Sequence, residues 1–148
     1  MTSESDPTRP VARIVRHLEA TPEQVFDAWL DADGLKQWMC PRGGTVTLAE
    51  IDPRHGGRFR IVMNVDGEEH DHTGDYRELR RPERLVFSWT SDSTRGESLV
   101  TVDLQRDDGQ TELILTHELL PDDETTAKHV VGWREILDRL EANLRGGS

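Results

Sequence analysis

Between residues 58 and 117 the chain repeats one pattern, short stretches with apolar residues at every second position, broken by tight-turn pairs. Over 58–65, Phe59, Ile61, Met63 and Val65 fall on one face, and Arg58, Arg60, Val62 and Asn64 on the other. A period of two describes a strand with one face against a core. Asp66-Gly67 suits a two-residue hairpin turn, and a second strand follows over 70–79. A third, 84–90, aligns Leu85, Phe87 and Trp89. Two more, 99–104 and 111–117, flank Asp107-Asp108-Gly109, another hairpin signal. The period then changes. Over 123–144, Val130, Trp133, Leu137, Leu140 and Leu144 share one helical stripe. Acidic residues open this segment and Arg139 and Arg145 close it, as the helix dipole favours, with Gly146-Gly147 to end it. Antiparallel strands followed by one long amphipathic helix predict an α+β fold, the helix lying across a curved sheet.

The first third carries a strand over 11–18 and then a helix start. Thr21 can cap that helix, Pro22 suits its first position, and Gln24 stands where a capping box returns its contact. Val25, Phe26 and Trp29 make its buried side. Gly34 is expected to interrupt, with a second short helix carrying Leu35 and Trp38 up to Pro41. Gly56-Gly57 permits a sharp entry into the sheet, and Gly132 a close approach of the last helix to it. The expected organisation is a polar leader at 1–10, one domain at 11–145 and a tail at 146–148.

Four fragments carry a resemblance: Ala20-Thr21-Pro22-Glu23-Gln24-Val25-Phe26, Trp38-Met39-Cys40-Pro41, Gly56-Gly57-Arg58-Phe59 and Gly132-Trp133-Arg134-Glu135. In this order and spacing, from about Val11 to Leu144, the chain resembles the activator of 90-kDa heat-shock protein ATPase homologue-like family. That family belongs to the START-like and polyketide cyclase superfamily. The resemblance implies the helix-grip fold, a curved antiparallel sheet wrapped around a long C-terminal helix, with two short helices after the first strand. The family's usual Trp-Trp-Gly-Pro reads Trp38-Met39-Cys40-Pro41 here.

The net charge of −11 argues against nucleic acid, whose phosphates demand a basic footprint, and against an anionic membrane surface. No apolar run is long enough to span a bilayer, and the N-terminus has no basic-then-apolar signal pattern. These features predict a soluble cytoplasmic protein, monomer or homodimer. Cys40 is the single cysteine, so the chain forms no internal disulfide. The sequence calls for no cofactor and no metal.

A sheet wrapped on a helix leaves an inner space, and pockets of this kind commonly enclose about 300–1,000 Å³. Parity and the helical stripe nominate Trp38, Met39, Met63, His72, Tyr76, Trp89, His117 and Trp133 as its lining, and Gly74, which has no side chain, as an opening over the sheet. His70 and His72 share a face with Gly74 and Tyr76, so imidazoles can enter that space; His117, in parity with Leu113 and Leu115, is equally readable as a satisfied core histidine. No phosphate loop and no nucleophile elbow is present. The leading expectation is binding of a small apolar or aromatic molecule between helix and sheet. The alternatives are a cyclase- or lyase-like enzyme using the pocket His and Tyr residues, and, implied by the family's name, a co-chaperone acting on a chaperone ATPase.

Overall fold

A computed structural model describes residues 11–41 and 43–146, so the expected leader and the end of the tail lie outside the described residues. Seven strands form one antiparallel sheet in the order β1-β7-β6-β5-β4-β3-β2: β1 (Ala12–Leu18), β2 (Gly44–Ile51), β3 (Arg58–Val65), β4 (Glu68–Arg80), β5 (Arg84–Ser91), β6 (Gly96–Asp107) and β7 (Gln110–Glu118). Helices α1 (Pro22–Trp29) and α2 (Ala32–Trp38) follow β1, and α3 (Asp123–Gly146) follows β7. The sheet curls around α3. This is the helix-grip fold.

The turns form where the residues allow positive φ. Asp66 and Gly67 (φ 55° and 82°) close β3–β4, and Asp108 and Gly109 (φ 52° and 82°) close β6–β7. Both pairs meet the demand of a tight hairpin for two left-handed residues. The Thr21 side chain accepts from the Gln24 amide at 3.2 Å, and the Gln24 side chain accepts from the Thr21 amide at 2.9 Å, so the capping box is complete.

Two local readings need correction, at Gly34 and Gly74, and one strand, β2, is added. Gly34 lies inside α2 instead of interrupting it, and the side chain of Asp31, the residue before the helix, folds against it, within 2.9 Å of where a Cβ would stand. Strand β2 carries a register shift between Val46 and Leu48, which destroys the alternation that marks the other strands. Gly74 opens no space. It pairs with Phe59, whose ring folds over it; an added Cβ would stand 2.5 Å from Phe59 Cζ and 2.0 Å from the Ser88 carbonyl oxygen.

The inner face is solid at one end and open at the other. Around α1 and α2, Trp29 meets Trp38 edge-on at 4.9 Å and leans on Phe87 at 6.1 Å, while Phe59, Tyr76 and Phe87 complete an aromatic cluster. Arg139 on α3 clamps the segment that borders the open end, where Pro41 and Val65, the partner of Gly44, both stand. Its Nη1 donates to the carbonyls of Cys40 (3.0 Å), Gly44 (3.1 Å) and Pro41 (3.4 Å), tying the helix to the α2–β2 connection. At this open end the β3–β4 and β5–β6 turns stand away from the first turns of α3, leaving a cleft.

Candidate functional site

The cleft encloses about 650 Å³ between the N-terminal half of α3 and the ends of β3, β4 and β5. Its lining comes from three sequence periods. Alternation along β3 and β4 delivers Met63, Val65, His70 and His72. The end of β5 and the 3-10 turn Asp92–Thr94 supply Trp89, Asp92 and Ser93, followed by Arg95. Along α3, Thr125, His129, Gly132, Trp133 and Ile136 recur every three or four residues and face inward as one stripe. The floor is aromatic. Trp89 and Trp133 stand 5.3 Å apart between ring centroids, and His72 leans on Trp89 at 4.9 Å with its plane tilted by 38°. The rim is charged.

A buried relay fixes that floor. Trp133 Nε1–H donates to His117 Nδ1 at 3.0 Å, and His117 Nε2 meets Ser98 Oγ at 2.7 Å. Ser98 Oγ in turn donates to the Trp89 carbonyl at 2.5 Å. With one end of the relay donating and the other accepting, every partner is satisfied only by a neutral His117 protonated on Nε2. Burial enforces the same state, pushing His117 down to about 3, with His129 adding to the effect. The relay joins α3 to β5, β6 and β7, so the indole of Trp133 is held by its own nitrogen at the base of the cleft, where it is buried.

The cleft's two inner histidines are neutral for the same reason. Burial lowers His72 to about 4, partly offset by the carbonyls of Ile61 and His70. Burial also lowers His129, whose Nδ1–H donates to the Thr125 carbonyl at 2.8 Å. His72 Nδ1 is sealed from solvent and reaches no hydrogen-bond partner among the described residues, an arrangement that costs about 1–3 kcal/mol. At the rim Asp122 caps α3, accepting from the Thr125 amide at 2.7 Å and from Arg95. These bonds lower Asp122 to about 2.

The structure divides the residues named from sequence. Met63, His72, Trp89 and Trp133 meet around the cleft. Met39 and Tyr76 line only a void of about 20 Å³ in the solid half, too small for an organic ligand. Burial there raises the Tyr76 phenol far above its ordinary value, so it holds its proton. Trp38 is fully buried against Trp29, away from the cleft, and its Nε1 has no partner among the described residues. His117 stands behind Trp133 and does not line the cleft; it is the satisfied core histidine. Cys40 is buried beside Gly44, and desolvation raises its thiol.

A model of the family described as "Activator of Hsp90 ATPase homolog 1-like protein" matches residues 19–145, from before α1 to the last turn of α3. The chain belongs to that family. Among solved structures, a protein of Chromobacterium violaceum is 29% identical, with a TM-score of 0.83 over 89% of this chain and 94% of that one. The AHSA1 protein from Silicibacter pomeroyi is 28% identical, with a TM-score of 0.80 over 94% of this chain and all of the other. An HSP90 activator from Plasmodium falciparum is 26% identical, with a TM-score of 0.73 over 90% and 95% of the two chains. No curated protein matches the chain.

In this member of the activator-homologue family, sequence reasoning passed over His129, Thr125, Ile136 and Arg95, and read Asp122 only as the helix N-terminus that it is. The first three were readable. They continue the Trp133 face of α3 at helical spacing, beside the stripe of Leu137 and Leu140 that packs into the solid half. Arg95 and Asp122 come together only through the β5–β6 turn, and nothing in their spacing signals it. Gly132 also changes meaning. A Cβ there would meet nothing within 4 Å, so the glycine borders open cleft instead of a close helix–sheet contact. Among the described residues no helix is long and apolar enough to cross a membrane, and no cluster of His, Cys, Asp and Glu could hold a metal ion.

Proposed function

We propose that the protein binds a small aromatic molecule in the cleft between α3 and strands β3–β5. The observation that carries this reading is the Trp89–Trp133 floor, which opens onto about 650 Å³ and is stiffened from behind by the His117–Ser98 relay. A volume of that size lies within the range that encloses drug-sized ligands. Trp133 is already anchored, so binding beside it leaves little side-chain entropy to lose. The expected apolar or aromatic guest is narrowed here to an aromatic one.

The test uses Gly132. Its missing side chain faces open cleft, so Gly132→Leu fills the cleft without disturbing the relay. Calorimetric titration with naphthalene, a neutral aromatic probe, should show saturable binding to the wild type and little to G132L. Equal binding to both, or none to either, refutes the reading.

A second reading is co-chaperone action, favoured by the match to the HSP90 activator fold at 26% identity. It is tested by adding the protein to a purified chaperone of this class and measuring ATP turnover. A dose-dependent rise supports it, and an unchanged rate removes it.

A further inference from the structure

The cleft's polar groups differ in what they have left to give a ligand. Both rim cations already face carboxylates: Arg95 is paired with Asp122, and Lys128 with Glu124 at 3.4 Å. Asp92, Asp122 and Glu124 together outnumber these two cations, so the rim favours neutral over anionic guests. Trp133 has spent its one donor on His117. His129 is different. Its Nδ1–H is taken by the Thr125 carbonyl, so in the neutral ring Nε2 carries a lone pair, and the residue lines the cleft. His72 lines the same cleft, with its Nδ1 sealed from solvent. The inner wall therefore offers an acceptor beside an aromatic floor.

Resting on the small-molecule reading above, we propose that the ligand is a neutral, planar aromatic molecule bearing a hydroxyl. Its ring lies in the cleft above Trp89 and Trp133, and its hydroxyl donates to Nε2 of His129. The spacing suits this. His129 and Trp133 stand one turn apart on α3, which puts their Cβ atoms about 5–6 Å apart, so one planar guest can reach both. An aliphatic guest could fill the volume but would bury the His129 lone pair without a donor, and a carboxylate would meet the acidic rim and the same lone pair.

The experiment compares three probes of one shape, 2-naphthol, naphthalene and 2-naphthalenesulfonate, by calorimetry on wild type and on His129→Leu. The expected result is that 2-naphthol binds the wild type roughly tenfold more tightly than naphthalene, and the sulfonate most weakly. In H129L the advantage of naphthol over naphthalene should disappear. A direct check needs no variant: the ¹⁵N resonance of His129 Nε2 should move on adding 2-naphthol and stay put with naphthalene. Equal binding of naphthol and naphthalene to the wild type, with His129 silent, overturns the hydroxyl assignment and leaves the cleft a binding site. The sulfonate binding most tightly overturns it in favour of an anionic ligand. Failure of all three probes overturns this proposal together with the reading it rests on.

Discussion

Replacing His117 with Leu tests whether the floor of the cleft is held by a neutral relay. The substitution removes the acceptor for Trp133 Nε1 and the donor to Ser98 Oγ, both inside the core. An orphaned buried donor costs about 1–3 kcal/mol, and burying Leu in place of imidazole returns part of that, so the loss at pH 7.5 should be about 1–2 kcal/mol. The pH dependence is the sharper signature. Burial lowers His117 from 6.5 to about 3 on folding, so between those values the unfolded chain binds a proton that the folded chain refuses. The contribution of His117 to stability is therefore complete above the unfolded value and is lost as the pH falls from 6.5 towards the folded value. Between pH 7.5 and pH 5 that loss is about 2 kcal/mol. Urea unfolding followed by Trp fluorescence at several pH values should show wild type and H117L converging on acidification, because only the wild type carries this term. His72 and His129 act in the same direction in both proteins and drop out of the comparison. Parallel curves would refute the relay, for they would mean that His117 binds its proton equally well folded and unfolded. Should the variant fail to fold, the His117 ring resonances of the wild type must stay in the neutral position down to pH 5.

Three other substitutions follow from the packing. Gly74→Ala drives a methyl into the Ser88 carbonyl and the Phe59 ring, and should lower stability by about 2 kcal/mol or more, read as a fall in urea midpoint at constant slope. Gly132→Ala meets nothing within 4 Å in a helix interior, and should instead raise stability by about 0.5–1 kcal/mol, or a few degrees in Tm. Arg139→Ala strips three carbonyls of their shared donor and should cost about 2 kcal/mol; buried Cys40 should then react faster with a disulfide reagent.

What the sequence disclosed follows from how local each signal is. The Thr21–Gln24 box, the Asp66-Gly67 turn and the Asp108-Gly109 turn each act within four residues, and each stands in the structure as read. Strand β2 was illegible because its bulge at Val46/Leu48 resets the parity that reveals a strand. Parity placed Met63, His72 and Trp89 on the inner face but says nothing about position along the helix. Tyr76 shares the parity of His72, yet lies at the end that α1 and α2 fill with Trp29 and Trp38. The division of the interior into a solid half and an open half depends on where two short helices pack, and that is a long-range fact. His129 escaped notice for a different reason. Its helical face was assigned by its large apolar residues alone, and a histidine one turn from Trp133 carries no apolar signal.

The central claim, that the cleft beside Trp133 is a binding site, is tested most directly by nuclear magnetic resonance of ¹⁵N-labelled protein titrated with naphthalene. The account predicts saturable shifts confined to Met63, His72, Trp89, His129, Gly132 and Trp133, with the Trp133 indole N–H still bonded to His117. Shifts scattered over the outer face of the sheet, or none at saturation of the probe, would contradict it.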